Sequence, residues 1–92
     1  MRAKLIVYEL SGLDQYHKVL VNRALFGYLD NSNKGNYQYR RKGILDEIPH
    51  LRLLRGAIVV KDIDKGEIIS VLKSHKIKPK VFNIEVKHSM LY

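Results

Sequence analysis

The stretch Ala3-Lys4-Leu5-Ile6-Val7-Tyr8-Glu9-Leu10 sets the fold. It is rich in β-branched and aromatic residues, and its apolar side chains occupy both odd and even positions. A strand that is apolar on both faces belongs in the centre of a sheet, where both faces are covered. The run Ala57-Ile58-Val59-Val60, within Leu54 to Lys61, has the same character and predicts a second central strand.

A helix is predicted directly after the first strand. Ser11-Gly12-Leu13-Asp14 has the spacing of a capping box, in which Ser11 is the N-cap and Asp14 reaches back to it. Apolar residues then recur at helical spacing, at Leu13, Tyr16, Leu20, Ala24 and Tyr28. A strand from Lys18 to Phe26 is the competing interpretation, and its poor alternation argues against it.

A second helix and a last strand are predicted in the C-terminal half. The helix begins within Asp62 to Glu67, and Pro79 ends it. Lys80 to His88 then alternates with the period of two that marks a strand. We expect its apolar set to lie under the helices; that set is Phe82, Ile84 and Val86.

The remaining strand is predicted from Tyr37 to Leu45, after the turn-forming residues 30–36. The order strand, helix, two strands, helix, strand predicts an α+β, ferredoxin-like βαββαβ two-layer sandwich. This fold has a four-stranded antiparallel sheet with two helices on one face, and the strands lie in the order fourth, first, third, second. We expect residues 1–92 to form a single domain of this kind.

Composition narrows the classes of function. Seventeen lysines and arginines face 9 acidic residues, which leaves a net charge of +8, and there is no cysteine. The lack of cysteine excludes disulfides, thiolate zinc sites and cysteine nucleophiles. No apolar run approaches the roughly 20 residues that cross a bilayer. We expect a cytoplasmic, non-enzymatic protein with no membrane contact, no cofactor and no small-molecule ligand.

A basic segment with interleaved tyrosines lies in a stretch that has no acid between Asn31 and Gly43. Such a segment suits contact with phosphates and stacking on bases, and it predicts a nucleic-acid-binding module that takes RNA ahead of DNA. We expect two arginines near the third strand to join it, because that strand neighbours the second in a hairpin. The predicted binding residues are Lys34, Tyr37, Tyr39, Arg40, Arg41, Lys42, Arg52 and Arg55.

The sheet face without helices predicts a competing function. Its centre would be an apolar strip between polar edges, and strips of this kind are typical of binding surfaces. Tyr37 and Tyr39 are expected to point toward the helices, whereas Arg40 and Lys42 lie on the bare face. A homodimer through this face or through a sheet edge is therefore expected, and a pure assembly subunit is the alternative to nucleic-acid binding.

Two further motifs carry weaker signals. Glu85-Val86-Lys87, with Asp62 or Asp64 upstream, has the layout of metal-dependent nucleases, in which paired carboxylates hold a divalent ion. Such matches arise by chance in a lysine-rich chain, so a nuclease is the third and weakest hypothesis. Four lysines near the second helix end predict a cationic C-terminus that suits the helix dipole, and a solvated loop; they are Lys73, Lys76, Lys78 and Lys80.

Overall fold

The computed structural model describes residues 1–32 and 35–91. Its helices and strands follow in the order β1 (Arg2–Val7), α1 (Gln15–Phe26), β2 (Tyr28–Ser32), β3 (Tyr37–Arg41), β4 (His50–Leu54), β5 (Ala57–Lys61), α2 (Lys65–Ser74) and β6 (Lys80–Glu85). Short 3₁₀ turns lie at Ile44–Glu47, Asp62–Asp64 and His88–Met90.

The main sheet has four antiparallel strands in the order β4-β5-β1-β6. The two strands predicted to be central, β1 and β5, are neighbours in its middle. Leu5 of β1 lies opposite Val59 on one side and opposite Phe82 on the other. The α+β class, with a four-stranded antiparallel sheet and two helices, is confirmed.

Both helices pack on the same face of this sheet. Val21 and Leu25 of α1 and Ile68 and Leu72 of α2 are fully buried in one cluster. The sheet contributes Ile6, Ile58 and Val60 to that cluster. Burial of a side chain of this size contributes about 1.5–3 kcal/mol. This cluster therefore holds the two layers together.

Helix α1 begins later than predicted. Its N-cap is Asp14 rather than Ser11, and the Asp14 carboxylate accepts a hydrogen bond from the backbone N–H of His17 at 2.8 Å. That bond and a second one to the His17 ring lower the pKa of Asp14. An aspartate that caps directly satisfies a free N–H of the first turn, so the serine three residues earlier is not needed.

A strand forms at Tyr37–Arg41, within the predicted range, but its predicted place in the main sheet was wrong. Tyr37–Arg41 does not enter the main sheet, and pairs with Tyr28–Ser32 in a separate two-stranded sheet. The edge strand beside β5 in the main sheet is instead His50–Leu54. Only four residues, 33–36, separate β2 from β3 in the sequence. So short a connection favours pairing of β3 with β2 in a hairpin over pairing of β3 with a strand of the main sheet.

The predicted orientation of the last strand was also wrong. Phe82 shares a face with Leu5 and Val59, which is the side away from the helices. Alternation separates two sets of side chains but does not state which set faces inward. The segment after β6 covers part of this second face, where Leu91 is buried against Ala3 and Val59. Ile84 and Val86 pack against the same small cluster.

Neither helix in the described part of the chain has the length and apolar composition that crossing a bilayer requires.

Candidate nucleic-acid interface

Strands β2 and β3 form a two-stranded ribbon that extends from the C-terminal end of α1. The Cα radius of gyration is 14.4 Å, and the molecule measures 47 × 30 × 20 Å. A compact chain of this length would have a radius of gyration of about 12 Å. All five residues of β3 are exposed. The ribbon therefore offers two faces that the main core does not cover.

One face of the ribbon carries all three aromatic residues of its two strands. Residues that lie directly opposite each other in an antiparallel pair share a face, and the pairs here include Tyr28 with Arg41 and Asp30 with Tyr39. Tyr37 follows on the same side by alternation. We call this surface the tyrosine face; its residues are Tyr28, Asp30, Tyr37, Tyr39 and Arg41.

Arginines stack on two of these rings. The guanidinium carbon of Arg41 lies 4.7 Å from the centre of the Tyr39 ring, and that of Arg23 lies 4.3 Å from the centre of the Tyr28 ring. Arg41 also donates from Nε to Asp30 at 2.9 Å, and this bond raises the pKa of Arg41. The stacked arginines hold the rings in place, and Tyr37 remains 60% exposed.

This arrangement suits the stacking of nucleobases. Exposed tyrosine rings offer flat apolar surfaces to any base, and guanidinium groups contact either a base plane or a phosphate. Asp30 neutralises part of the charge of Arg41, so the tyrosine face offers flat ring surfaces more than it offers net positive charge. A ligand with exposed, unpaired bases matches it better than a duplex does.

Arg40 was predicted to contact phosphates, and the structure gives it a structural role instead. It lies on the opposite ribbon face, beside Leu29. Its guanidinium donates to the backbone oxygens of Phe26 and Arg41, each at 2.8 Å, and to both carboxylate oxygens of Asp46 at 2.9 and 3.0 Å. Asp46 also accepts from the backbone N–H of Gly43 at 2.7 Å. Arg40 therefore ties the base of the ribbon to the end of α1.

We expect Arg40→Ala to lower the free energy of unfolding by about 1–2 kcal/mol, because the ion pair with Asp46 is half-exposed while two backbone carbonyls also lose a donor. Arg40→Lys should recover little of this, since one ammonium group cannot replace both Nη1, which bonds Arg41, and Nη2, which bonds Phe26 and Asp46. Chemical denaturation followed by circular dichroism measures the effect. Lys42→Ala, at an exposed neighbour, is the control and should change stability by less than about 0.5 kcal/mol. Equal stability of the Arg40→Ala variant and the parent protein would show that the contacts of Arg40 do not stabilise the fold.

The other predicted residues do not form one patch. Lys42 is exposed just beyond β3, and Lys34 lies outside the described residues. The guanidinium carbon of Arg52 lies 4.0 Å above the Phe26 ring, on the helix side of β4. Burial raises the pKa of Tyr8, and the charge of Arg52 offsets part of that rise. Arg55 follows the far end of β4. The interface therefore keeps only Tyr37, Tyr39 and Arg41 of the predicted set, with Lys42 beside it.

Three residues of the candidate interface were missed from the sequence: Arg23, Tyr28 and Asp30. Tyr28 had been assigned to the apolar stripe of α1, but the helix ends at Phe26 and Gly27 follows with a φ of 77°. Glycine after a helix is a common stop signal. Reading Gly27 in that way would have moved Tyr28 into a strand.

Two carboxylates of the nuclease hypothesis, those of Asp62 and Glu85, already have cationic partners. Asp62 pairs with Lys65 at 3.0 Å and with Lys4 at 3.4 Å, and hydrogen bonds from these lysines lower the pKa of Asp62. Glu85 pairs with the amino terminus at 3.3 Å. In the part of the chain that the structure describes, no group of three or more histidine and acidic side chains could hold a metal ion.

Comparisons with known proteins identify no relative: no family model, no curated protein and no solved structure matches this chain. The assignment of function therefore depends on the geometry of the molecule.

Proposed function

We propose that this chain is a small, basic, non-enzymatic module that binds single-stranded nucleic acid, RNA ahead of DNA, on the tyrosine face of its ribbon. The observation that carries the proposal is the group of three tyrosines on one ribbon face, two of them stacked by arginines. RNA is placed first because its loops and bulges present unpaired bases for stacking.

Charge supports the same proposal. The chain has a net charge of +8, which attracts polyanions over distances of about a Debye length. Lys42 lies directly after β3, where an exposed ammonium group can follow a phosphate backbone. In this proposal stacking supplies much of the affinity, and the surrounding cations supply its dependence on salt.

The proposal also assigns the scaffold to the ferredoxin-like class, with the ribbon as an insertion between α1 and β4. Three features support this assignment: the strand order β4-β5-β1-β6, the antiparallel pairing throughout, and the helices α1 and α2 on one sheet face. Without β2 and β3, the element order is the βαββαβ pattern of that class.

Fluorescence anisotropy with labelled oligonucleotides tests the proposal. The panel contains single- and double-stranded RNA and DNA of equal length, each at about 50 and 200 mM salt. We expect the single strands to bind more tightly, with affinity falling as salt rises by a log–log slope of about −0.7 per phosphate neutralised. Absence of binding to all four probes at the lower salt concentration would refute the proposal.

A homodimer is the second candidate, and the exposed apolar side chains on the sheet face away from the helices favour it. Phe82 is 49% exposed and Leu54 is 72% exposed, and both project on the side of Leu5. Apolar side chains grouped on one face are typical of self-association surfaces. Sedimentation velocity at high salt decides this candidate. If the protein sediments as a dimer and binds no oligonucleotide, the result favours an assembly subunit. If it sediments as a monomer, the homodimer is excluded.

A further inference from the structure

Three lysines line a groove at the end of the main sheet where β1 ends and β6 begins. The groove has a volume of about 350 Å³. Its lining includes Lys76, Lys78 and Lys80 together with residues of the β1–α1 connection, among them Glu9 and Gly12. We call this feature the lysine groove. The ribbon begins after the C-terminal end of α1, so the groove and the ribbon lie at opposite ends of that helix.

Lys76 occupies a backbone position that normally belongs to glycine. Its φ is 63°, and no other non-glycine residue in the described ranges has a positive φ. The N–H of Ile77 donates to the carbonyl of Leu72 at 3.0 Å, the bond that closes a helix C-terminus of this kind. Glycine would adopt this conformation without strain. The helix dipole does not require a lysine here, because Lys73 already places a cation in the last turn.

The charge and shape of the groove favour the binding of an anion. Its lining has three lysines and one acidic residue, Glu9, so positive charge is in excess. A side chain at Gly12 would meet no atom within 4 Å, so there is free space beside this residue of the lining. A second groove of about 510 Å³ shares Tyr8 and Glu9 with the first, and its lining adds the cations Lys18 and Arg55. Positive charge therefore lies on both sides of the β1–α1 connection.

We infer that the lysine groove binds phosphate groups, with Lys76 placed for this purpose at the expense of backbone strain. Lysine ammonium groups pair with phosphate oxygens through charge-assisted hydrogen bonds, which are stronger than bonds between neutral groups. The phosphates could belong to a free phosphate compound or to a nucleic-acid backbone, and both sources present the same oxygens to the groove. The inference stands apart from the proposed function, because none of its residues belongs to the ribbon.

Titrations followed by amide chemical shifts in NMR test the inference on the whole chain. Pyrophosphate serves as the probe for free phosphate compounds, and a single-stranded oligonucleotide serves as the probe for a backbone. We expect saturable shifts at Gly12 and at residues 76–80 with at least one probe. Saturation by pyrophosphate identifies a free phosphate compound as the ligand, and saturation by the oligonucleotide alone identifies a backbone.

The deciding variant is Lys76→Gly. It removes the cation and relieves the backbone, so we expect about 5-fold weaker binding of the active probe together with an unchanged or higher Tm. Lys73→Ala is the matched control, because Lys73 lies one turn earlier on α2 and does not line the groove; it should leave binding unchanged. The absence of shifts with both probes, or equal affinity of the Lys76→Gly variant and the parent protein, would overturn the inference. Tyr37→Ala should not affect the pyrophosphate titration, because Tyr37 lies on the ribbon and does not line the groove, and this separates the outcome from that of the ribbon.

Discussion

Replacing Tyr37 and Tyr39 together by alanine should weaken the binding of single-stranded RNA by about 30-fold or more. Stacking of a base on an aromatic side chain contributes about 1–3 kcal/mol, and both rings lie on the tyrosine face. Loss of Tyr39 also removes the surface on which Arg41 stacks. Because the substitutions remove no charge, the slope of affinity against salt should stay close to that of the parent protein.

Leu29→Ala is the matched control for this experiment. Leu29 is 63% exposed and Tyr37 is 60% exposed, but Leu29 lies on the opposite face of the same ribbon. We expect the control to bind RNA as the parent does. If the control and the double variant lose affinity equally, the ribbon acts through its stability rather than through its tyrosines. If neither loses affinity, RNA does not bind to the tyrosine face. Anisotropy at one fixed salt concentration distinguishes these outcomes.

Replacing Gly43 by alanine should lower the free energy of unfolding by about 2–3 kcal/mol, in the range typical of overpacked interiors. Gly43 is buried where the chain leaves the ribbon. A methyl group at this position would press against the backbone nitrogen of Gly27 and the backbone carbonyl of Leu25. Backbone atoms cannot move aside as a flexible side chain can, so α1 and the base of the ribbon must separate.

Thermal unfolding measures this effect, and Tm should fall by roughly 10–20 °C for a chain of this size. Gly66→Ala is the control, and we expect it to raise the free energy of unfolding rather than lower it. Gly66 lies in the first turn of α2, where an added methyl group meets open space. Alanine forms helices better than glycine by about 0.5–1 kcal/mol, so this variant should be more stable than the parent. A tolerated Gly43→Ala would show that the contact between Gly27 and Gly43 is looser than the structure indicates.

The central strands and both helices could be predicted from the sequence because each depends on a local pattern. Ile6 and Ile58 belong to runs that are apolar on both faces, and such runs fit only the middle of a sheet. The periodicity around Val21 and Leu25 predicted α1 in the same way. Boundaries were less accurate, because Asp14 and Ser11 are both good caps and only the backbone geometry separates them.

The candidate site was predicted only in part. The tyrosines and cations were recognised as a group from their types and their acid-free surroundings. Their arrangement depended on which strand pairs with Tyr37–Arg41, and residue type does not determine the pairing partner. Arg40 shows the consequence. It was predicted to contact phosphates because it lies in the acid-free basic segment, and no sequence pattern connects it to the groups that it bonds, the Phe26 carbonyl and the Asp46 carboxylate.

Composition and local periodicity were enough to predict the α+β class, the positive charge and the tyrosine-rich cationic segment. Three other features became visible only in the folded molecule: the segment forms a ribbon outside the main sheet, Arg40 ties this ribbon to the end of α1, and Phe82 faces away from the helices. Strand pairing and the choice of the inward face are contacts between distant parts of the chain. Their free energies depend on how the whole molecule packs and not on any single stretch of residues.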